Sequence, residues 1–372
     1  MARRAGAPPR HRARSREVTS AVRVVDVSGS RREIGRAHGE EARSLIGRGL
    51  ERWFGVIEPR LHTSGEAYVA SFLDATEFPE TIERYTPELL EEVKGIAEGA
   101  RQDFDVILAY QLMDEEWAYR SAVMRTRGAS VEACSAAGIL REDAPTILAQ
   151  NMDLPSHYDG TQVLLRLRPD GGPETMIFTP AGLIGTTGLN SHGLGVCVNA
   201  MSQLRHRSSG LPVGFILRAM LARKTANEAA AFVRAVPHAT GQNYLIGDPG
   251  ALFDFEASPG RVSELHAEAG QLRHTNHPLV NQDLDPDMAG RSDSTTVERL
   301  DRLERDLKPL AGRATVEDLK RTLSDREVPV CVPRGSSWMT LGSVVMELSD
   351  APVLHVALGP PADTPYTTAR FS

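Results

Sequence analysis

Three cysteines are the first candidates for chemistry in this 372-residue chain. A thiol can attack a carbonyl carbon and carry an acyl group as a thioester. Cys197 lies inside Gly195-Val-Cys-Val-Asn and Cys331 inside Val328-Pro-Val-Cys-Val-Pro, apolar runs in which a free cysteine behaves as a small buried hydrophobe. Cys134 differs, because Ser130, Ala133, Ser135, Ala136 and Ala137 surround it with small residues that permit close approach. Nineteen residues on, Gln150-Asn-Met-Asp-Leu-Pro closes an apolar run with amides and a carboxylate, Asp153; the plain alternative is a turn cap. His274-Thr-Asn-His invites a metal reading, with His266 or Asp283 as a third ligand. Two histidines and a loose third fall short of a zinc ligand set, and no metal is expected. Asn276, between those histidines, can instead donate hydrogen bonds to a developing oxyanion. The glycine-rich run from Gly182 has neither the GxGxxG frame nor a Gly-Lys-Ser/Thr ending, so it reads as a hairpin about Asn190-Ser-His-Gly, with Val196 and Asn199 on the returning strand. No cofactor is expected.

The elements that must position these residues change character part-way along the chain. From about Val22 to Arg127 the pattern is helical after a short strand, with a long amphipathic stretch opening at Arg32 and a helix starting at Pro87. This third reads as scaffold. After Arg127-Gly-Ala-Ser, short β-type runs begin at Thr146, Val163, Thr175 and Gly195. Helical patterns follow over about 214–223 and 227–236. Strands come next at Asn243, Leu252 and Arg261, then helices over 295–307 and 316–323, and strands again at Ser343 and Val353. Adjacent strands interrupted by paired helices predict a layered α+β fold with hairpin-connected sheets.

Composition narrows the class. The chain carries 42 Lys+Arg against 49 Asp+Glu, a net charge of −7, with 41% hydrophobic and 24% charged residues. Residues 1–20 hold six arginines and one acid, and read as a disordered basic leader; the rest then stands at −12. So acidic a body is a poor nucleic-acid binder. No apolar stretch is long enough to span a membrane and no secretory signal is present, so no membrane partner and a cytoplasmic location are expected. An odd number of cysteines agrees with a reducing compartment.

Taken in order, Arg32-Glu-Ile-Gly-Arg-Ala-His-Gly-Glu, Ala133-Cys-Ser, Ala149-Gln-Asn-Met-Asp, Ala181-Gly-Leu-Ile-Gly with Gly-Leu-Asn-Ser-His-Gly-Leu-Gly-Val, Phe255-Glu-Ala-Ser-Pro and His274-Thr-Asn-His resemble the acyl-coenzyme A:isopenicillin N acyltransferase family, the C45 peptidase-like group of N-terminal-nucleophile hydrolases. The resemblance implies a four-layer αββα sandwich made as a zymogen. Autocatalytic cleavage at Ala133–Cys134 would free Cys134 as the N-terminal nucleophile, dividing a helical pro-segment, 21–133, from a catalytic chain, 134–372, as an α/β heterodimer from one precursor. It further implies that Asp153 holds the new α-amine, that Asn276 and the backbone N–H of Asn199 bind the oxyanion, and that Arg334 contacts substrate. The family usually has glycine before the cysteine and threonine after it; here they are Ala133 and Ser135. The substrate implied is a small acyl amide or thioester. Hydrolysis is favoured over transfer because water is always available. A non-catalytic, uncut relative that binds an acylated ligand is the alternative reading, and a metallohydrolase built on His274 and His277 a further one.

Overall fold

The computed structural model describes residues 23–124, 134–288 and 295–371. The first segment opens with strand β1 (Val24–Gly29) and continues as helices α1 (Arg31–Glu41), α2 (Arg43–Leu61), α3 (Gly65–Asp74), α4 (Phe78–Tyr85), α5 (Pro87–Ala100), α6 (Phe104–Gln111) and α7 (Met113–Val123). Local chemistry sets these boundaries. Ser30 and Glu33 form a reciprocal capping box at the start of α1, and Pro87 occupies the first turn of α5, where a missing N–H costs nothing. The single amphipathic stretch expected from Arg32 to Ile57 is two helices, broken at Ala42.

After residue 134 come β2 (Ser135–Ile139), β3 (Thr146–Pro155), β4 (Gln162–Pro169), β5 (Thr175–Pro180), β6 (Thr187–Asn190) and β7 (Gly195–Ala200). Helices α8 (Val213–Leu221) and α9 (Ala226–Ala235) follow, then β8 (Gln242–Gly247), β9 (Leu252–Ser258), β10 (Arg261–Leu265) and β11 (Gln271–His274). Helices α10 (Thr296–Leu307) and α11 (Val316–Leu323) precede the closing strands β12 (Trp338–Leu348), β13 (Val353–Ala357) and β14 (Thr367–Arg370).

The strands form an eight-stranded sheet, ordered β1-β4-β5-β6-β7-β8-β9-β10, and a six-stranded sheet, ordered β11-β2-β3-β12-β13-β14. Every pairing is antiparallel except β1 with β4, so the N-terminal segment contributes an edge strand to the larger sheet. The sheets face each other through β2 and β3 against β7 and β8. Helices α8 and α9 cover the outer face of one, α10 and α11 that of the other. The result is a four-layer αββα sandwich. Alternation along β2 and β3 shows why: Ala136 and Leu148 join the core between the sheets, while Ala137, Ile139, Ile147 and Ala149 pack with Leu303, Leu307, Leu319 and Leu323 beneath α10 and α11. Strands with both faces covered show no polar–apolar alternation. Strand β2, Ser-Ala-Ala-Gly-Ile, is for that reason invisible to pattern reading.

The first family motif works by close helix packing. Gly35 and Gly39 on α1 face Gly95 and Gly99 on α5, and a Cβ at Gly35 would stand 1.9 Å from the Glu92 carbonyl oxygen. Only glycine permits that approach, which delivers His38 and Glu92 to the residues after β5.

Candidate active site

Cys134 stands immediately before β2, and its Sγ lies 3.7 Å from the Asp153 carbonyl oxygen and 3.9 Å from Met152 Sδ on β3. The thiol is buried, and loss of water, followed by the Asp153 charge, pushes its pKa well above the ordinary value. It opens on a cavity that Asp153 and Asn276 also line. Three of the residues singled out in the sequence therefore meet at one place.

Gln150-Asn-Met-Asp is mid-strand, not a turn cap, since β3 runs on to Pro155. Its side chains alternate across the layers. Gln150 Nε2 reaches the Val198 carbonyl (2.5 Å) and Asn199 Oδ1 (3.1 Å) in the opposite sheet. Asn151 Nδ2 donates outward to the carbonyls of Leu323 and Val330. Asp153 is 1% exposed and forms no ion pair among the described residues. Burial pushes its pKa up to about 7, against the lowering effect of Thr340, its cross-strand partner on β12, and of Arg299.

Asn276 is held on three sides. Its N–H donates to Thr296 Oγ1 (2.8 Å), Nδ2 donates to the Ala200 carbonyl (2.9 Å), and Oδ1 accepts from Arg299 (2.9 Å). A guanidinium only donates, so the Arg299 contact fixes which end of the amide is oxygen. Nδ2 keeps one hydrogen uncommitted. Arg299, from α10, is completely buried; it also donates to the Cys134 carbonyl and to Ser135 Oγ (2.9 Å). One side chain thus ties the Cys134 backbone to the amide across the cavity. Sequence reading missed it, because an arginine on an amphipathic helix ordinarily faces water.

The His274 motif proves to be the foundation of the Asn276 loop. His274 Nδ1 meets the Thr275 carbonyl (2.8 Å) and Nε2 meets Glu256 (2.9 Å). Both partners are acceptors, so both ring nitrogens carry hydrogen. Burial alone would lower the imidazole pKa, but Glu256 and Asp254 raise it. Glu256 in turn accepts the N–H groups of Leu279, Val280 and Asn281. With both nitrogens spoken for, His274 has no lone pair for a metal, which removes the metallohydrolase reading built on it. Among the described residues no group of three or more His, Cys, Asp or Glu is arranged to hold an ion.

Two expected site residues need correction. Asn199 side-chain atoms bond Gln150 and Asn243, and its backbone N–H points away from the cavity. Asn199 pairs with Asn243 in the register in which Met201 donates to the Gly241 carbonyl, and antiparallel partners two apart repeat the same bonding. Its N–H therefore belongs to the β8 ladder. Ala200, whose carbonyl already meets Asn276, turns its N–H to the cavity side and lines the cavity with Val198. Arg334 also lies elsewhere: it is about half exposed, pairs with Asp159 at 3.3 Å and does not line the cavity. It sits in the segment before β12, on the surface. Ala133 falls outside the described residues, as does the basic leader.

The remaining cysteines are structural. Cys197 is buried in β7 near Thr187 Oγ1, its pKa pushed up by burial to about 12, and Cys331 is likewise buried. The glycine-rich run forms the expected hairpin, with Asn190 N–H donating to the Leu194 carbonyl and Gly193 at φ +79°. Its leading part, Leu183 to Thr186, is a cavity wall. The N-terminal segment holds that wall: His38 Nε2 accepts from Gly182 N–H (3.1 Å), while Gln111 takes Gly182 O (2.7 Å) and Ile184 N–H (2.8 Å). Arg218 bonds the Ile184 carbonyl and makes a buried two-pronged pair with Glu92 of α5. Gln111, Met113, Asp114 and Trp117 line the cavity directly. The first third is thus more than scaffold.

The family model for acyl-coenzyme A:6-aminopenicillanic acid acyl-transferase matches residues 140–362. The chain belongs to that family. A relative from Emericella nidulans, the acyl-coenzyme A:6-aminopenicillanic-acid-acyltransferase 40 kDa form, is 28% identical over 269 residues, covering 70% of this chain and 72% of its own. Among solved structures, a variant of conjugated bile acid hydrolase from Clostridium perfringens is 13% identical over 64% of this chain and 97% of its own, with a TM-score of 0.46. Penicillin V acylase from Agrobacterium tumefaciens is 14% identical over 60% and 83%, with a TM-score of 0.43. As a member of the acyl-transferase family, the chain is an enzyme of acyl chemistry. No helix among the described residues is long and apolar enough to cross a membrane.

Proposed function

We propose that this chain is a self-processing cysteine amidohydrolase or acyltransferase that works through a thioester on Cys134. One observation carries the reading: Asp153 is a buried carboxylate with no ion-pair partner among the described residues, in the cavity of Cys134. A buried ion without a counter-ion is costly, and an α-ammonium on Cys134 would supply the missing charge. In maturation, Sγ attacks the carbonyl of residue 133. The C–N bond breaks, the thiol proton ends on the released amine, and water then hydrolyses the thioester. The N-terminal piece stays bound through the β1–β4 pairing, the buried Glu92–Arg218 pair and the Gln111 bonds to Gly182 and Ile184, so the product is a heterodimer of its two fragments.

In turnover the α-amine of Cys134, neutral before attack, takes the thiol proton and becomes the α-ammonium that faces Asp153. Sulfur attacks the substrate carbonyl, and the oxyanion receives hydrogen bonds from the uncommitted Asn276 Nδ2–H and the Ala200 N–H. Collapse passes the proton to the leaving amine and breaks its C–N bond. Water, or an acceptor amine, then takes the acyl group and restores the thiol. Hydrolysis is the preferred outcome, because water is always available.

Intact-mass measurement tests this. Two fragments divided at Ala133–Cys134 are expected, one beginning Cys-Ser-Ala-Ala, and Cys134→Ala should stay whole. Peptide mapping should find the acyl group on Cys134. A single uncut species that hydrolyses amides would refute it; an uncut species that binds acyl compounds without acylation would establish the non-catalytic alternative.

A further inference from the structure

Asp114, at the start of α7, puts a second carboxylate into the cavity. Its Oδ2 accepts from Gln242 Nε2 (2.6 Å), and Oδ1 has no hydrogen-bond partner among the described residues. No described basic side chain forms an ion pair with it. Met113, Leu183 and Val213 are apolar parts of the same cavity wall. Trp117 and Trp338, also lining the cavity, meet edge to face at 5.2 Å between ring centres. An anionic oxygen in a cavity with indole rings is the chemistry that recognises an ammonium group, by a charge-assisted hydrogen bond and by cation–π attraction.

We propose that Asp114 is a specificity-determining residue, selecting a substrate that carries a protonated amine besides the acyl group transferred. The substrate class is then an acylated diamine or another acyl amide with a cationic arm. Asp114 comes from the N-terminal segment, so that segment supplies specificity and the 134–371 segment the nucleophile. Burial raises the Asp114 carboxyl above its ordinary value, and a bound cation would favour its ionised form. The inference rests on the acyl-enzyme reading only for the claim that substrate occupies this cavity.

Isothermal titration of the full-length wild-type protein with n-hexylammonium chloride and with 1-hexanol, at neutral pH, tests it without any acyl chemistry. The two probes differ in charge and hardly in shape. Hexylammonium should bind about ten- to a hundredfold more tightly. Asp114→Asn should bring the two affinities to within about twofold while hexanol binding persists, and Asp114→Ser serves if the amide variant does not fold. Undetectable ammonium binding, equal wild-type affinities, or a preference that survives both substitutions would overturn the proposal. Equal loss of both probes would also overturn it, as the mark of a structural role. An ammonium preference without any acylation of Cys134 would refute the proposed function and leave this inference standing.

Discussion

Replacing Asp153 by Asn in a chain kept whole by Cys134→Ala isolates the energy of a buried carboxylate that lacks an ion-pair partner. In the folded uncut chain Asp153 titrates near 7, against an ordinary 3.8. Below about pH 4 it is protonated folded and unfolded, and it costs nothing. As pH rises towards 7 the unfolded chain gives up the proton while the folded chain keeps it, so stability falls. Above 7 both forms are ionised and the full cost is present, about 4 kcal/mol at ~1.4 kcal/mol per pKa unit. The asparagine variant has no such dependence. Urea unfolding of Cys134→Ala with and without Asp153→Asn, at several values between about pH 4 and pH 8, should show the asparagine chain gaining several kcal/mol over its parent as pH rises. In the mature protein the sign should invert. An α-ammonium beside Asp153 makes the carboxylate favourable, and its removal strands a buried cation at a cost of about 3–5 kcal/mol. A stability difference that stays flat across this range in the uncut chain would refute the reasoning, as would a destabilised asparagine variant at high pH.

Three further outcomes are expected. Asn276→Ala should lower kcat by about 10²–10³-fold with KM little changed, since one oxyanion donor is worth about 2.7–4 kcal/mol in the transition state; an unchanged kcat in steady-state assays would exclude that role. Arg299→Lys keeps the charge but loses the fork that spans the Cys134 carbonyl, Ser135 and Asn276, so both kcat and the urea midpoint should fall, the stability by about 2 kcal/mol or more. Arg334→Ala should leave kcat/KM within about twofold, because an exposed pair with Asp159 contributes little; a tenfold rise in KM would restore it to the substrate site.

Much of this molecule is legible in the order of its residues. Helical spacing and Pro87 mark α5, turn chemistry marks the Asn190 hairpin, and strands β3, β7 and β12 announce themselves through apolar runs. Small residues around Cys134, amides before Asp153 and the Asn276 motif single out groups that do share one cavity. Local chemistry is enough for such features because caps, turns and periodic burial act within a few residues. What it could not supply is direction and distance. Whether Asn199 or Ala200 turns its N–H to the cavity depends on the β7–β8 register. That Arg299 faces inward depends on α10 lying over β2 and β11. Asp114 lines the cavity and Arg334 does not, because the packing of distant segments, not residue type, decides which charge meets it. These are properties of segments far apart in the chain, fixed only when two sheets and their covering helices exclude water together.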